Sequence, residues 1–175
     1  MRHTEVAQKW VHRCYGRSDV GLARAGRKQA YELAATLARE PVTAVVHSGL
    51  KRAAFPARRL AELARLEPTV DPRWQERDFG TWEGRTWNAI WLETRNEMDR
   101  MLTDPDHYRP GGGERTAALA ERSVAGWNAL PLEGCVVVIT HGGPIAAVRG
   151  MLVGAAMSEM ASFTIPKGTF VELPR

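Results

Sequence analysis

Residues 134–154 read GCVVVITHGGPIAAVRGMLVG. Five apolar, mostly β-branched residues at 135–139 form the short continuous run of a strand buried on both faces. Thr140 and His141 then switch the character to polar, Gly142 and Gly143 allow a sharp turn, and Pro144 suits the first turn of the helix that the next residues prescribe. The segment is therefore strand, tight turn, helix. Such a helix start offers free backbone N–H groups beside His141, a ready place for an anion, although a histidine at a strand end can also be satisfied without any ligand.

The same order recurs upstream. VTAVVHS at 42–48 is a second strand of this kind, and GLKRAAFPARRLAELARLE at 49–67 follows it with helical spacing. Ser48 is placed to cap that helix, and Arg52, one turn in, can present a planar fork of donors to a phosphate. Pro56 should kink the helix or displace its start. Further helices are predicted over 26–40, 88–104 and 116–130, and the stretch around 105–115 is rich in turn residues. With no linker, repeat or low-complexity tract, the chain reads as one domain, 1–175. The alternation predicts an α/β fold in three layers, α/β/α, with a mostly parallel central sheet and ligands at the carboxyl ends of its strands. Arg2 and His3, Arg52, and His141 all stand at such ends or at the head of the chain. Glu76, in WQERDFGTWEG at 74–84, lies among Trp74, Phe79 and Trp82, surroundings that would suit a carboxyl group to proton transfer near neutrality.

At 175 residues, 44% hydrophobic and 25% charged, the chain can bury a full core. No apolar run approaches the ~18 to 20 residues of a membrane span, and no signal-peptide pattern follows Met1; the expectation is a cytoplasmic protein without membrane partners. Cys14 and Cys135 are far apart in sequence and lack metal-type spacing, so neither a disulfide framework nor a zinc site is expected. The formal charge of +4 fits either a polyanion or a pocket for an anionic metabolite. Because the arginines alternate with acidic residues and form no basic block, a nucleic-acid partner is not expected.

Taken together, the motifs resemble those of the histidine phosphatase superfamily, in its phosphoglycerate-mutase-like branch. RHTEV at 2–6 stands where that family has Arg-His-Gly-Glu-Thr. CYGRSDVGLARAGRKQA at 14–30 matches Gly-x-x-Asp-x-x-Leu-x-x-x-Gly-x-x-Gln-Ala through Gly16, Asp19, Leu22, Gly26, Gln29 and Ala30. SGLKRA matches Ser-x-Leu-x-Arg-Ala, WQERDFGTWEG matches Glu-x-x-x-Gly-x-x-Glu-Gly, PGGGE at 110–114 matches the Gly-Gly-Glu segment, and THGG supplies the second histidine. The resemblance covers nearly the whole chain in order. It implies a metal-independent phosphomonoesterase without cofactor, acting on a small phosphorylated metabolite. His3 would be the nucleophile, forming a phosphohistidine. Arg2, Arg52 and His141, with Gly142, would hold the phosphoryl oxygens, Glu76 would serve as acid and then base, and Cys14, Tyr15 and Gly16 would belong to a substrate loop.

Some positions depart from the family pattern. Thr4 replaces the glycine of the signature, Lys9 stands where an asparagine often binds phosphate, Gly49 replaces a proline and Pro56 a threonine. RHTEV with CYGRSDV is similar to the α-ribazole phosphatases, which implies α-ribazole 5′-phosphate, an intermediate of cobalamin assembly, as substrate. The short spacing from Glu83 to Gly111 favours a phosphatase over a phosphoglycerate mutase, the alternative enzyme; a phosphate-binding module of the same fold is the non-enzymatic alternative. In the family a strand of roughly five or six residues leads into the Arg-His pair. Here only Met1 precedes it, so a truncated first strand is expected, with an open sheet edge that invites a homodimer.

Overall fold

A computed structural model describes residues 1–174. Its sheet has three parallel strands in the order β2-β1-β3: β1 (Val42–His47) at the centre, β2 (Thr69–Val70) on one side and β3 (Cys135–Ile139) on the other. Six α-helices accompany it among the described residues: α1 (Arg24–Leu37), α2 (Lys51–Ala64), α3 (Trp87–Thr94), α4 (Arg100–Thr103), α5 (Thr116–Asn128) and α6 (Gly142–Leu152).

Alternation along the strands assigns the layers. Val45, Val137 and Ile139 face one core, closed by Ala34 and Leu37 of α1 and by Ala53, Ala57, Leu60 and Ala61 of α2. Val46, Val136 and Val138 face the other, with Trp74, Leu130 and Val148 of α6. Side chains two apart point the same way, so each strand contributes to both cores and must be apolar throughout. This is the three-layer α/β/α arrangement expected, with every named strand parallel.

Two expected helices differ in detail. The alanine-rich face of α2 packs closely enough to carry Pro56 inside an unbroken helix, although the ring removes the N–H that the Arg52 carbonyl would receive. The single helix expected over 88–104 is interrupted: Arg95 adopts a left-handed φ of 50°, and a 3-10 turn over Arg95–Asp99 separates α3 from α4.

Residues 1–3 run beside the end of β3. The Met1 amine donates to the Val138 carbonyl (2.8 Å), the Thr140 N–H to the Met1 carbonyl (3.0 Å) and the His3 N–H to the Thr140 carbonyl (3.0 Å). On their other side the Arg2 N–H reaches the Thr169 carbonyl. Beside β3 and Met1 opens a cavity of about 590 Å³, bordered by Trp74, Trp127, Val136, Val138 and Phe170.

Burial lowers the pKa of the Met1 amine from 8.0 to about 5, so the fold accommodates the uncharged form. Between those values the unfolded chain binds the extra proton, and stability must rise with pH. His3, His47 and His141, also held below their ordinary value, add to the slope until their unfolded forms have lost the proton, about one unit above pH 6.5. Stability measured by urea unfolding should therefore climb between pH 6.5 and 8, the amine contributing up to about 1.4 kcal/mol per unit and the histidines adding to it at the lower end. Acetylation of the amine keeps an N–H for Val138 and should remove the amine's share of the slope, which leaves the curve nearly flat between about pH 7.5 and 8.

Candidate active site

Two strand ends and the start of the chain converge at one point. β3 leads through Thr140 into His141, the N-cap of α6, and β1 leads through Ser48 into the first turn of α2, which carries Arg52. The ladder from Thr140 fixes the backbone of Arg2 and His3 beside them. The rings of His3 and His141 lie 5.2 Å apart, and Arg52 Nε is 3.2 Å from His141 Nδ1. A Cβ added to Gly142 would stand 3.2 Å from the Arg2 guanidinium carbon. Arg2, His3, Arg52, His141 and Gly142 are thus neighbours, although 140 residues of sequence separate the first from the last.

Hydrogen bonds assign the protons of both rings. His3 Nδ1 lies 2.7 Å from the carbonyl of Thr4, which can only accept, so Nδ1 carries the hydrogen and Nε2 the lone pair. His141 is the reverse: Arg52 Nε–H donates to Nδ1, and Nε2–H donates to Ser48 Oγ at 2.7 Å. Both histidines are almost fully buried. Desolvation first, and the Arg52 cation second, push both pKa values well below the ordinary histidine range, which keeps the rings neutral at pH 7. Ser48 was expected to cap α2. It bonds His141 instead, and the helix begins behind Leu50 with no side-chain cap.

Arg52 has no exposed surface, and each of its three nitrogens finds an acceptor: Nε on His141, Nη1 on the Ser18 carbonyl (2.8 Å) and Nη2 on the Gly16 carbonyl. Of its five N–H donors, two remain for a ligand. The loop that supplies those carbonyls is shaped by Glu83, whose carboxylate accepts the N–H groups of Arg17 and Ser18 (2.8 and 2.7 Å), the Ser18 hydroxyl and the Phe79 N–H. Gly16 is required there: its φ is +23°, and a Cβ would come 2.3 Å from Glu83 Oε1 and 2.5 Å from the Arg77 carbonyl. Tyr15 turns its ring edge-on to His3, with centroids 6.4 Å apart. Cys14, expected in the substrate loop, points its side chain away from it. It is fully buried against Trp82, Ile90 and Tyr108, and burial pushes its thiol pKa up to about 12.

Glu76 meets different surroundings from those its sequence neighbours suggest. Trp74 and Trp82 belong to two separate cores, and the Glu76 carboxylate accepts the N–H of Arg77 (2.9 Å) and that of Gly143 in the first turn of α6 (3.2 Å). A Cβ on Gly143 would fall 2.4 Å from Glu76 Oε1, so only glycine lets the carboxylate come this close to the helix start. Arg122 of α5 holds the main chain beneath it, donating to the carbonyls of Arg73, Gln75 and Glu76 while paired with Glu114 at 2.7 Å. Two cationic side chains, two neutral histidines and one carboxylate therefore line a common space. Arg2 Nε is buried without a hydrogen-bond partner among the described residues. Also among them, no group of three or more His, Cys, Asp or Glu is arranged to hold a metal ion, and no helix is long and apolar enough to cross a membrane.

Three residues of this site escape a reading of the sequence for chemistry. Glu83 and Ser48 are matched positions of their motifs but carry no chemical role there, whereas nothing local distinguishes Arg122.

Comparison with known proteins shows the family of the chain. The sequence model of the histidine phosphatase superfamily (branch 1) matches residues 1–174. Phosphoserine phosphatase 1 of Hydrogenobacter thermophilus is 31% identical over 172 residues, which cover 93% of this chain and 79% of the relative. Glucosyl-3-phosphoglycerate phosphatase of Mycolicibacterium vanbaalenii is 29% identical over 165 residues, 88% of this chain and 72% of the relative. Among solved structures, a mycobacterial glucosyl-3-phosphoglycerate phosphatase superposes with a TM-score of 0.81 at 30% identity, covering 92% of this chain and 81% of the other. The α-ribazole phosphatase of Shigella flexneri superposes with a TM-score of 0.82 at 25% identity, covering 96% and 85%.

Glu83→Gln offers a direct test of how the loop is held. The amide has one acceptor oxygen where the carboxylate had two, so main-chain donors of Arg17, Ser18 or Phe79 lose their partner. Unfolding should become easier by about 1–3 kcal/mol. Inorganic phosphate should bind more weakly in calorimetry, because the carbonyls that orient Arg52 are released with the loop.

Proposed function

Because the chain belongs to branch 1 of the histidine phosphatase superfamily and is a phosphoric monoester hydrolase, we propose that it hydrolyses small phosphorylated metabolites through a phosphohistidine at Nε2 of His3. The observation that carries this reading is the bond from His3 Nδ1–H to the Thr4 carbonyl. It commits the other nitrogen to its unprotonated form, and burial among cations keeps it so at neutral pH.

The remaining residues divide the reaction between them. The lone pair of Nε2 attacks phosphorus, a P–N bond forms and the ester P–O bond breaks. Negative charge on the phosphoryl oxygens meets Arg2, the two uncommitted N–H groups of Arg52, and His141. To serve here, His141 redirects its Nε2–H from Ser48 to a phosphoryl oxygen, and Arg52 holds the ring in the tautomer that can donate. Glu76 acts as the general acid, passing a proton to the leaving oxygen. It then takes one from the water that breaks the P–N bond, which releases inorganic phosphate and restores His3. Backbone donors at two sides of the carboxylate fix its position through both steps.

The short segment ahead of α5 favours the phosphatase over the mutase alternative: residues 84–111 are taken up by α3, α4 and short turns. For the substrate, the relatives named for phosphoserine and glucosyl-3-phosphoglycerate favour esters that carry a carboxylate. A second reading, α-ribazole 5′-phosphate, is favoured by the RHTEV and CYGRSDV segments and by the fold of the Shigella enzyme.

His3→Ala should lower turnover of p-nitrophenyl phosphate by more than about a thousandfold while the thermal midpoint stays near that of the parent. Rapid quenching in base of the parent, but not of the variant, should trap an acid-labile phosphoenzyme; activity within tenfold of the parent would exclude the covalent route. Glu76→Gln should depend on the leaving group. General acid catalysis is worth roughly 10²–10⁴-fold, so kcat/KM should fall by that order for an alkyl phosphate and far less for p-nitrophenyl phosphate, whose phenolate departs unaided.

A further inference from the structure

Beyond the phosphoryl clamp, one cation at the site has no assigned task. Lys167 sits half-buried on the segment 165–169, and that segment is bonded to the residues of the clamp. The Gly168 N–H donates to the His3 carbonyl (3.0 Å), the Arg2 N–H to the Thr169 carbonyl (2.9 Å), and Arg2 Nη1 to the Ile165 carbonyl (2.7 Å). These bonds fix the backbone of Lys167 against the nucleophile. Its Nζ lies 5.7 Å from the centroid of the Tyr15 ring, the same ring that is edge-on to His3 and that has the Arg52 guanidinium 5.0 Å from its centre. Among the described residues Lys167 forms no ion pair, whereas Lys28 and Lys51 each have a carboxylate within reach. A half-buried ammonium without a counter-ion gives up hydration with no ionic partner in return, an arrangement relieved when an anion arrives.

We propose that Lys167, with Tyr15 as the wall beneath it, binds a carboxylate on the leaving-group side of the substrate. This inference rests on the phosphomonoesterase reading above and adds to it the residue that recognises the substrate's carboxylate. Arg2, Arg52 and His141 already supply donors for the phosphoryl oxygens, so a further cation is surplus to that group. The anion it suits is compact and singly charged. A lysine is a point charge without the planar fork that a second phosphoryl group would use. In phosphomonoesters of hydroxy acids and hydroxyamino acids the carboxylate is only two or three bonds from the ester oxygen, which keeps it beside the ring wall next to His3. Substrates with a neutral or cationic group at that place leave Lys167 unpaired or repelled.

The test compares O-phosphoserine and 3-phosphoglycerate with phosphoethanolamine, which lacks the carboxylate, in the parent, Lys167→Met and Lys167→Glu. The parent should prefer the carboxylate esters. In Lys167→Met the ratio of kcat/KM for O-phosphoserine over phosphoethanolamine should fall at least tenfold, chiefly through KM, and in Lys167→Glu the preference should turn toward phosphoethanolamine. No carboxylate preference in the parent, or equal losses on all esters, would overturn the subsite; equal losses would make Lys167 part of the phosphoryl clamp. Failure of the hydrolase reading would be seen separately, as absence of phosphate release from every ester including p-nitrophenyl phosphate. In that event calorimetric titration with O-phosphoserine and phosphoethanolamine decides the subsite: tighter binding of O-phosphoserine, lost in Lys167→Met, supports it, and equal binding overturns it.

Discussion

The buried guanidinium of Arg52 is the constraint on which the site depends. A cation with no exposed surface is tolerated only where its donors are met, and here they meet the two loop carbonyls of Gly16 and Ser18 and the ring of His141. Each partner is held in turn: the loop by Glu83, the ring by Ser48. The result is a connected set of hydrogen bonds from a glutamate on the far side of the loop to a histidine at the start of α6. Such networks are stiff when complete and costly when broken. The two N–H groups that Arg52 keeps in reserve are therefore aimed before any ligand arrives, which is how electrostatic stabilisation of a transition state avoids reorganisation.

Burial first, and the same cation second, keep both histidines neutral. Lone burial would lower their pKa values, and the neighbouring positive charge adds to it. For the nucleophile proposed at His3 this is useful twice over, since the lone pair stays available and the surrounding field is unbalanced in the direction that welcomes a phosphate dianion. The unpaired Arg2 Nε points to the same imbalance.

What could be read from the chain alone follows the range of the interactions involved. The junction at residues 134–154 announces its strand, turn and helix because apolar run, glycines and proline act locally. The convergence of Arg2, His3, Arg52 and His141 follows from the rule that sites form at the carboxyl ends of parallel strands. The environment of Glu76 was not legible. Its tryptophan neighbours are adjacent in sequence but leave to opposite cores, and its true partners are main-chain groups of Arg77 and of Gly143, the latter 67 residues away. Cys14 and Tyr15, side by side in sequence, divide between core and site for the same reason. Ser48 carries the chemistry of a helix cap, and only the position of His141 turns it to another use. The interruption at Arg95 has no strong breaker to mark it.

The bonds between residues 2–3 and the segment 165–169 also order events in time. His3 and Arg2 are synthesised early, yet the carbonyls and N–H groups that fix their backbone belong to Thr140 and to a stretch made more than 160 residues after them. Contacts of such separation close last, because each requires the intervening chain to be nearly in place. A ribosome-bound chain that has completed β1, α2 and even α5 therefore still lacks the partners that fix the backbone of Arg2 and His3. The cluster around His3 is therefore complete only once the segment 165–169 is in place.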